Sequence, residues 1–506
     1  MTYPSGLVLA YSFDSVGRIN QIVATPSGGG AATVLSSATY HPFGGVQGWT
    51  FGNSQTYART YDLDGRVSGF TLAGTAMSLS FDAASRITGQ TWFPNSTNSV
   101  TYGYDNWDRL TSTITPNTTY GFAYDANSNR TSKTVGVNTW TYAYPGSSNK
   151  LSSITKGTTA TYTHDANGSI TADGTNTFSY GVRGRMTGAT TLLGAVTYRY
   201  NALGQRYLKT LSGTTTVYLY DDAGHLIAET SNAGSSYTEY LWLGDTPVAT
   251  IKPGSAAIYY IHTDHLDTPR LIADQTPTTV WRWDNDDPFG ANMANGNPTG
   301  LGMFVFNVRL PGQYLDQETN SHYNYYRDYS TETGRYIQSD PIGIHGGPNS
   351  YAYVNSSPML YTDPRGLHAY PWKAGPNFNP NPCPCPQVPS SPPGASCPAN
   401  IQQATNNQWN PSWLYSQVQN KGPWDYKQQG SQYQDFGNFN YGATAAASNI
   451  PASIIYRGAG WAQGAANTSS PQWGTWWGSY PYGDDPADQY WIAQGIQYYR
   501  CGCYKN

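Results

Sequence analysis

Two Asp-Pro dipeptides, Asp340-Pro341 and Asp363-Pro364, are the residues of this sequence best suited to hydrolytic chemistry. Two carboxylates that share one site can hold a single proton between them, so one acts as base and the other as acid. Such a pair activates water for attack on a peptide carbonyl. Arg335, close before Asp340 in the chain, is of the type that orients the pair and keeps one member ionised. The same dipeptides also open turns, because the Asp side chain bonds to nearby amides and Pro presets φ. From the residues alone, a turn and a catalytic role both stand.

A second set of candidates lies beyond His368. That stretch has no Glu and no further His, which argues against a His-dependent nuclease and against a Ser-His-Asp hydrolase. Its acids are Asp425, Asp435, Asp484, Asp485 and Asp488. Asp425 and Asp435 flank residues 437–442, whose Gly and Asn density predicts a tight turn presenting the amides of Asn438 and Asn440. Together with Asp484 they are expected to form a site of paired carboxylates. Asp485 and Asp488 fit a helix cap around Pro486 equally well. The cations are Lys373, Lys421, Lys427, Lys505, Arg457 and Arg500, one more than the acids, too slight an excess for a nucleic-acid groove.

All five cysteines, Cys383, Cys385, Cys397, Cys501 and Cys503, fall in this last quarter. Two C-x-C pairs admit disulfides, free thiols or a metal site. Zinc sites favour C-x2-C spacing and the stretch offers no His, so no metal and no cofactor is expected. Disulfides would place the tail in an oxidising compartment.

The elements that must position these residues follow from composition and periodicity. Of the 506 residues only 11% are charged, whereas Tyr numbers 43 and Gly 54, the make-up of a turn-rich β protein. Net charge is −4, which gives no global attraction to nucleic acid or anionic membranes. No apolar run is long enough to span a membrane, and Met1 to Ser12 lacks the pattern of a Sec signal, so export is expected by another route.

One pattern recurs: an aromatic, Asp or Asn, a short turn, then Arg or Gly and an apolar residue. It is seen at Phe13-Asp14, Tyr61-Asp62, Phe81-Asp82, Tyr104-Asp105, Tyr124-Asp125, His164-Asp165, Tyr200-Asn201 and Tyr220-Asp221. Successive copies start 48, 20, 23, 20, 40, 36 and 20 residues apart, mostly near 20 or a multiple of it. Alternating residues such as 196–200 make a half-buried strand, an Asx- and Gly-bearing tetrapeptide reverses the chain, and a second strand returns. Each unit is a hairpin that is marginal alone, so the units must add into a long sheet.

This pattern resembles the YD repeats of Rhs proteins and of the C components of Tc toxins. Residues 262–270, 281–284, 287–290, 312–319, 323–328, 334–341 and 361–367 are similar to the successive motifs of the Rhs-associated core, with Asp267 where the family usually has Gly. The resemblance implies a mostly β protein: a sheet that spirals into a shell around a toxin, here a partial cocoon. It also implies an aspartyl autoprotease of Arg335, Asp340 and Asp363 that cuts between Leu367 and His368. His262 and His265 are read as polar residues lining the shell.

Beyond Leu367 a Pro- and Cys-rich linker gives way to a tryptophan-rich region with three expected helices, α or α+β overall. These start after Asn410, near Ala443 and after Asp485, the second broken or kinked at Pro451. Residues 421–427, 435–442 and 482–489 resemble the bacterial toxin 44 family, which brings no mechanism with it. The expected domains are repeats at 1–255, core at 256–367, linker at 368–404 and toxin at 405–506.

The resemblance implies a polymorphic toxin effector of competition between bacteria, secreted and acting in the target cell, with the periplasm favoured. Its partners would be a cognate immunity protein, a secretion-system component and a target macromolecule. A hydrolase acting on peptidoglycan fits the cysteines and the missing His. A metal-dependent nuclease is the rival, and a non-enzymatic carbohydrate-binding surface protein is the reading from another class.

Overall fold

The computed structural model describes the chain apart from residues 42–44, 94–95, 147, 232, 235, 372–385, 409, 449, 451, 467, 479–480, 501–502 and 506. Cys383, Cys385, Cys501 and the kink expected at Pro451 therefore lie outside the described residues. The chain divides into two compact units, residues 1–378 and 379–506.

The first unit is built of hairpins laid side by side. Among the described residues, fifteen antiparallel strands in sequence order form one sheet, from Val8–Phe13 to Thr158–Thr161. Thirteen more, from Thr163–His164 to Thr279–Arg282, form a second. The repeat at Tyr61 shows why the pattern needs its residues. Asp62 Oδ1 accepts from the amides of Asp64 (3.0 Å) and Arg66 (2.8 Å), and Oδ2 accepts from Arg66 Nε (2.6 Å). Gly65 supplies the positive φ of the reversal (77°).

The Arg66 guanidinium then lies 4.5 Å over the ring of Phe81, the aromatic of the next copy. Arg86 stands over Tyr104, Arg109 over Tyr124 and Arg185 over Tyr200 in the same way. In return, Tyr104, Tyr124 and Tyr200 hydroxyls donate to the carbonyls of Ile87, Leu110 and Met186 in the preceding copy. The aromatic and the Arg thus link one hairpin to the next, a role beyond ending a strand.

The sheets curve back on each other: one core cluster joins strands near the start (Leu9, Ile22, Trp49) to strands 227–260 (Leu241, Ile251, Tyr260). His262 sits in this seam, fully buried. Its Nδ1 accepts from Ala73 N at 3.1 Å, and burial pushes its pKa down to about 3. His265 is equally buried, 3.0 Å from Met359 O. Both are structural imidazoles. Asp267 adopts a left-handed φ of 65° where Gly would be unstrained, and its carboxylate is held by Arg59 Nη2 (2.6 Å) and Thr246 Oγ1 (2.8 Å).

The segment after the second sheet carries a small four-stranded sheet, Tyr314–Asp316 to Arg335–Tyr336. It is anchored inside by buried ion pairs, among them Arg206 with Asp316 and Lys133 with Asp287 (2.6 Å). A last hairpin pairs Tyr361–Thr362 with Tyr370–Pro371 and turns at Asp363 to Gly366.

The second unit is helical: α1 (Cys397–Asn406), α2 (Pro411–Val418), α3 (Gln434–Ala447), α4 (Ala452–Ala465) and α5 (Pro486–Arg500). No strand occurs among its described residues, so the α alternative is the one seen. Asn410 caps α2, its side chain accepting from Trp413 N at 3.0 Å, and Asp485 accepts from Ala487 N at 2.9 Å ahead of α5. Residues 437–442 are not a turn but the middle of α3. Their glycine serves helix packing: a Cβ on Gly442 would overlap Ile492 O, and one on Gly495 would overlap Phe439 O, so α3 and α5 meet at backbone distance.

Candidate functional site

Asp340 and Asp363 meet in the first unit around the chain's own Leu367-His368 peptide. The final hairpin folds back so that Asp363 Oδ1 accepts from Leu367 N (2.9 Å) and His368 N (3.2 Å). Asp363 Oδ2 accepts from the Tyr336 hydroxyl at 2.7 Å. Asp340 arrives from the opposite side, its Oδ1 holding Ile342 N at 3.0 Å. Gly346 is the hinge of this approach. A Cβ there would overlap Asp340 Oδ2 and would lie 2.8 Å from Leu367 O, so only Gly lets the acid and that carbonyl face each other.

One guanidinium spans the pair. Arg327 Nη2 is 3.0 Å from Asp340 Oδ2 and 3.2 Å from Asp363 Oδ2, while its Nε donates to Gly366 O (2.5 Å). Its carbon centre stands 3.5 Å over the Tyr336 ring. Asn324 Nδ2 donates both to Tyr336 Oη (2.8 Å) and to Asp363 O (2.9 Å), which fixes the hairpin turn. Burial raises the Asp340 carboxyl above its usual range, and the neighbouring Asp363 adds to this against the opposing pull of Arg327. A cavity of about 180 Å³, lined by Arg327, Gly346, Asp363, Trp107 and Ala369 among others, opens beside Asp363 and is large enough for water.

Arg335 does not join them. Its Nη2 donates to Asn149 O (2.5 Å), and its guanidinium packs against the rings of Tyr144 (4.9 Å) and Tyr351 (5.1 Å). Arg327, which spacing did not single out, occupies the position expected of it.

In the second unit the acids sort differently from the expectation. Asp435 is exposed in the first turn of α3, and Asp425 accepts from Lys421 N (2.7 Å) as a local turn. Asn440 is fully buried, but its Oδ1 accepts from Asn400 Nδ2 (2.9 Å) in the core. The group that does assemble is Asp484, Asp488 and Asn438. Asp488 Oδ1 accepts from Asn438 Nδ2 (2.6 Å) and Gln434 Nε2 (2.9 Å), and Oδ2 from Gln463 Nε2 (3.2 Å) and Lys427 Nζ (3.3 Å). Asp484 Oδ2 accepts from Gln489 Nε2 (2.7 Å). Burial raises the Asp484 carboxyl, Gln463 and Gln489 bond to it in opposition, and Asp488 pushes it further up. Asp488 is thus more than a helix-cap residue. Among the described residues no group of His, Cys, Asp or Glu is arranged to hold a metal. Cys503 is disulfide-bonded, and Cys397 is a buried free thiol.

The model of the teneurin YD-shell family matches residues 73–345, more than half of the 506. The chain belongs to that family. Behind the YD-shell, the model of the bacterial toxin 44 family matches residues 410–501. The toxin protein Tse5 of Pseudomonas aeruginosa is 41% identical over 114 residues, 22% of this chain and 8% of that protein. The double-stranded DNA deaminase toxin A of Burkholderia cenocepacia is 34% identical over 113 residues, again 22% of this chain and 8% of the relative. The chain therefore spans under a tenth of the length of these two relatives. The Tc holotoxin pore of Photorhabdus luminescens shares the fold, with a TM-score of 0.60 at 17% identity over 73% of this chain and 20% of that one. The protein is a YD-shell of Rhs type joined to a toxin 44 domain, and no helix among its described residues is long and apolar enough to cross a membrane.

Proposed function

We propose that this YD-shell protein is an effector of competition between bacteria that cuts itself after Leu367 and so separates its toxin domain from the shell. The observation that carries this reading is the Leu367-His368 amide held 3.2 Å from Asp363 Oδ1 while Leu367 O faces Asp340 across Gly346. Water from the adjoining cavity adds to the Leu367 carbonyl carbon and loses its proton to Asp363. Asp340, whose carboxyl burial raises, is the acid and protonates the carbonyl oxygen. On collapse the C–N bond breaks, Asp363 passes its proton to the His368 nitrogen, and the oxygen's proton returns to Asp340. Arg327 holds both carboxylates in line through these changes of charge.

The test is direct. Purified full-length chain run on a denaturing gel should give fragments that mass spectrometry maps to 1–367 and 368–506. Asp340→Asn and Asp363→Asn should remain whole. Intact wild-type protein, or a cut at another bond, would sink the reading.

The freed domain is proposed to be a hydrolase with an envelope target. The disulfide at Cys503, the lack of His and Glu, and the small excess of positive charge in the tail support this. A cognate immunity protein and a secretion-system component complete the scheme. Growth arrest should require export to the periplasm. Arrest by a cytoplasmic form, with degraded or edited nucleic acid, would instead align this chain with its deaminase relative.

A further inference from the structure

The toxin domain holds a buried cluster in which the Asp484 carboxyl feels the charge of Asp488. Asp484 and Asp488 are 1% and 3% exposed, yet three of the side chains that close over Asp488 belong to the surface. Gln434 and Lys427 are exposed and Gln463 half-buried, so a swing of Lys427 and Gln463 together opens Asp488 Oδ2.

A second observation points to an outside ligand. Gln489 is 1% exposed, its Nε2 donates to Asp484 Oδ2 and to Tyr456 O (3.1 Å), and its Oε1 has no donor. A buried amide oxygen without a donor, beside a carboxyl, is costly to leave unpaired and is a place for a hydroxyl to bind.

The surface next to the cluster is aromatic. Trp476 and Trp477 are 43% and 65% exposed, edge to face at 5.4 Å. The loop bearing them lies on Gly483, the residue before Asp484: a Cβ there would be 3.1 Å from Trp476 N. Arg457 pins the loop, its Nη1 donating to Trp476 O (3.0 Å) and its guanidinium lying over Tyr482 (4.8 Å).

We propose that this site hydrolyses a glycosidic bond, with Asp484 as the acid, Asp488 as the anion facing the anomeric carbon, and the Trp476–Trp477 pair stacking on a neighbouring sugar ring. The proposal deepens the reading of the tail as an envelope hydrolase and rests on it. The substrate class is a polysaccharide of the bacterial wall. Exposed tryptophan faces suit sugar rings, the unpaired Gln489 oxygen suits a sugar hydroxyl, and a tail with six cations and five acids has no field to attract a polyanion such as RNA.

In the step itself, Asp484 gives its proton to the glycosidic oxygen as the C–O bond breaks, and the electron pair stays on that oxygen. The positive charge left on the anomeric carbon and ring oxygen is met by the carboxylate of Asp488, which four donors hold in place. Water adds to the anomeric carbon and returns a proton to Asp484.

The test uses the full-length chain, exported to the periplasm of a bacterium and also purified and incubated with peptidoglycan sacculi. New reducing ends are expected, with stem peptides intact. Asp484→Asn should lower their release about 100-fold or more, in line with the loss of a general acid. Trp477→Ala, at an exposed position, should keep the fold and raise KM about fivefold with kcat held; if Asp484→Asn does not fold, this variant decides. Asp435→Ala should match wild type. Cut stem peptides without new reducing ends, RNA loss in place of wall damage, or an unchanged KM for Trp477→Ala would overturn the proposal. The gel band for 368–506 reports self-cleavage separately, so absence of that band marks failure of shell processing and its presence without glycan products marks failure of this site.

Discussion

The candidate carboxylate pairs of the two units, Asp340 with Asp363 and Asp484 with Asp488, are built to opposite plans. In the shell, Asp340 and Asp363 share one arginine, and the bond they face is part of the same hairpin, held by Asp363 before any reaction. In the toxin domain, Asp484 and Asp488 are lined by amides and one lysine, and the donors to Asp488 among the described residues are side chains. A site whose substrate is its own chain needs only water to enter. One that waits for a substrate needs a surface that opens. Under the two proposals, one motif, two buried acids with one carboxyl raised, would serve a single intramolecular event or repeated turnover according to what lies over it.

The largest effect is expected at Asp363. Asp363→Asn removes the base and the group that protonates the leaving nitrogen, and self-cleavage should fall at least about 1000-fold on a timed gel. Toxicity of the unreleased tail would be lost with it. Next is the arginine. Arg327→Gln should slow cleavage about 100-fold, whereas Arg335→Gln should lower the melting temperature of the shell and leave the cleavage rate of the folded fraction within a few-fold. Equal loss from both would erase the distinction drawn between them. Gly346→Ala should cost about 100-fold by forcing Asp340 and Leu367 O apart, with circular dichroism unchanged.

The pH profile sharpens the contrast further. Burial raises Asp340, and its protonated form is the active one, whereas Asp363 must be free to take a proton, so the rate should trace a bell whose alkaline limb declines about tenfold per unit above the raised Asp340 pKa. A rate that still climbs on that limb would reverse the assignment of acid and base. The smallest effect is at the repeats: Arg66→Ala cuts a half-exposed turn ion pair and its contact with Phe81, and should cost under about 1 kcal/mol in denaturant unfolding.

Much of the shell was readable because hairpins are local. The Asx-turn-Gly tetrapeptides and the spacing near 20 residues reappear as adjacent antiparallel strands, since each turn is closed by bonds four residues apart. The caps at Asn410 and Asp485 were legible for the same reason. The Gly and Asn residues of 437–442 misled: their composition suits a turn, but Gly442 is there for the approach of α5, a contact 50 residues distant that no local pattern records. Arg335 misled in a related way. It is near Asp340 in sequence, but the pairing of Ser330 with Arg335 turns its side chain toward Asn149, and Arg327 one strand earlier reaches the pair.

What the sequence determined by itself was the repeat, the two Asp-Pro turns and the division between a β shell and an aromatic, His-free tail, all set by periodicity and composition over short spans. Which residues meet was decided only by the tertiary structure. Arg327 bridges Asp340 and Asp363, and α3 brings Asn438 to Asp488 while Asp425 and Asp435 stay outside. Such contacts join segments that are remote along the chain, and their geometry depends on which face of a strand or helix is buried when sheets close and helices pack.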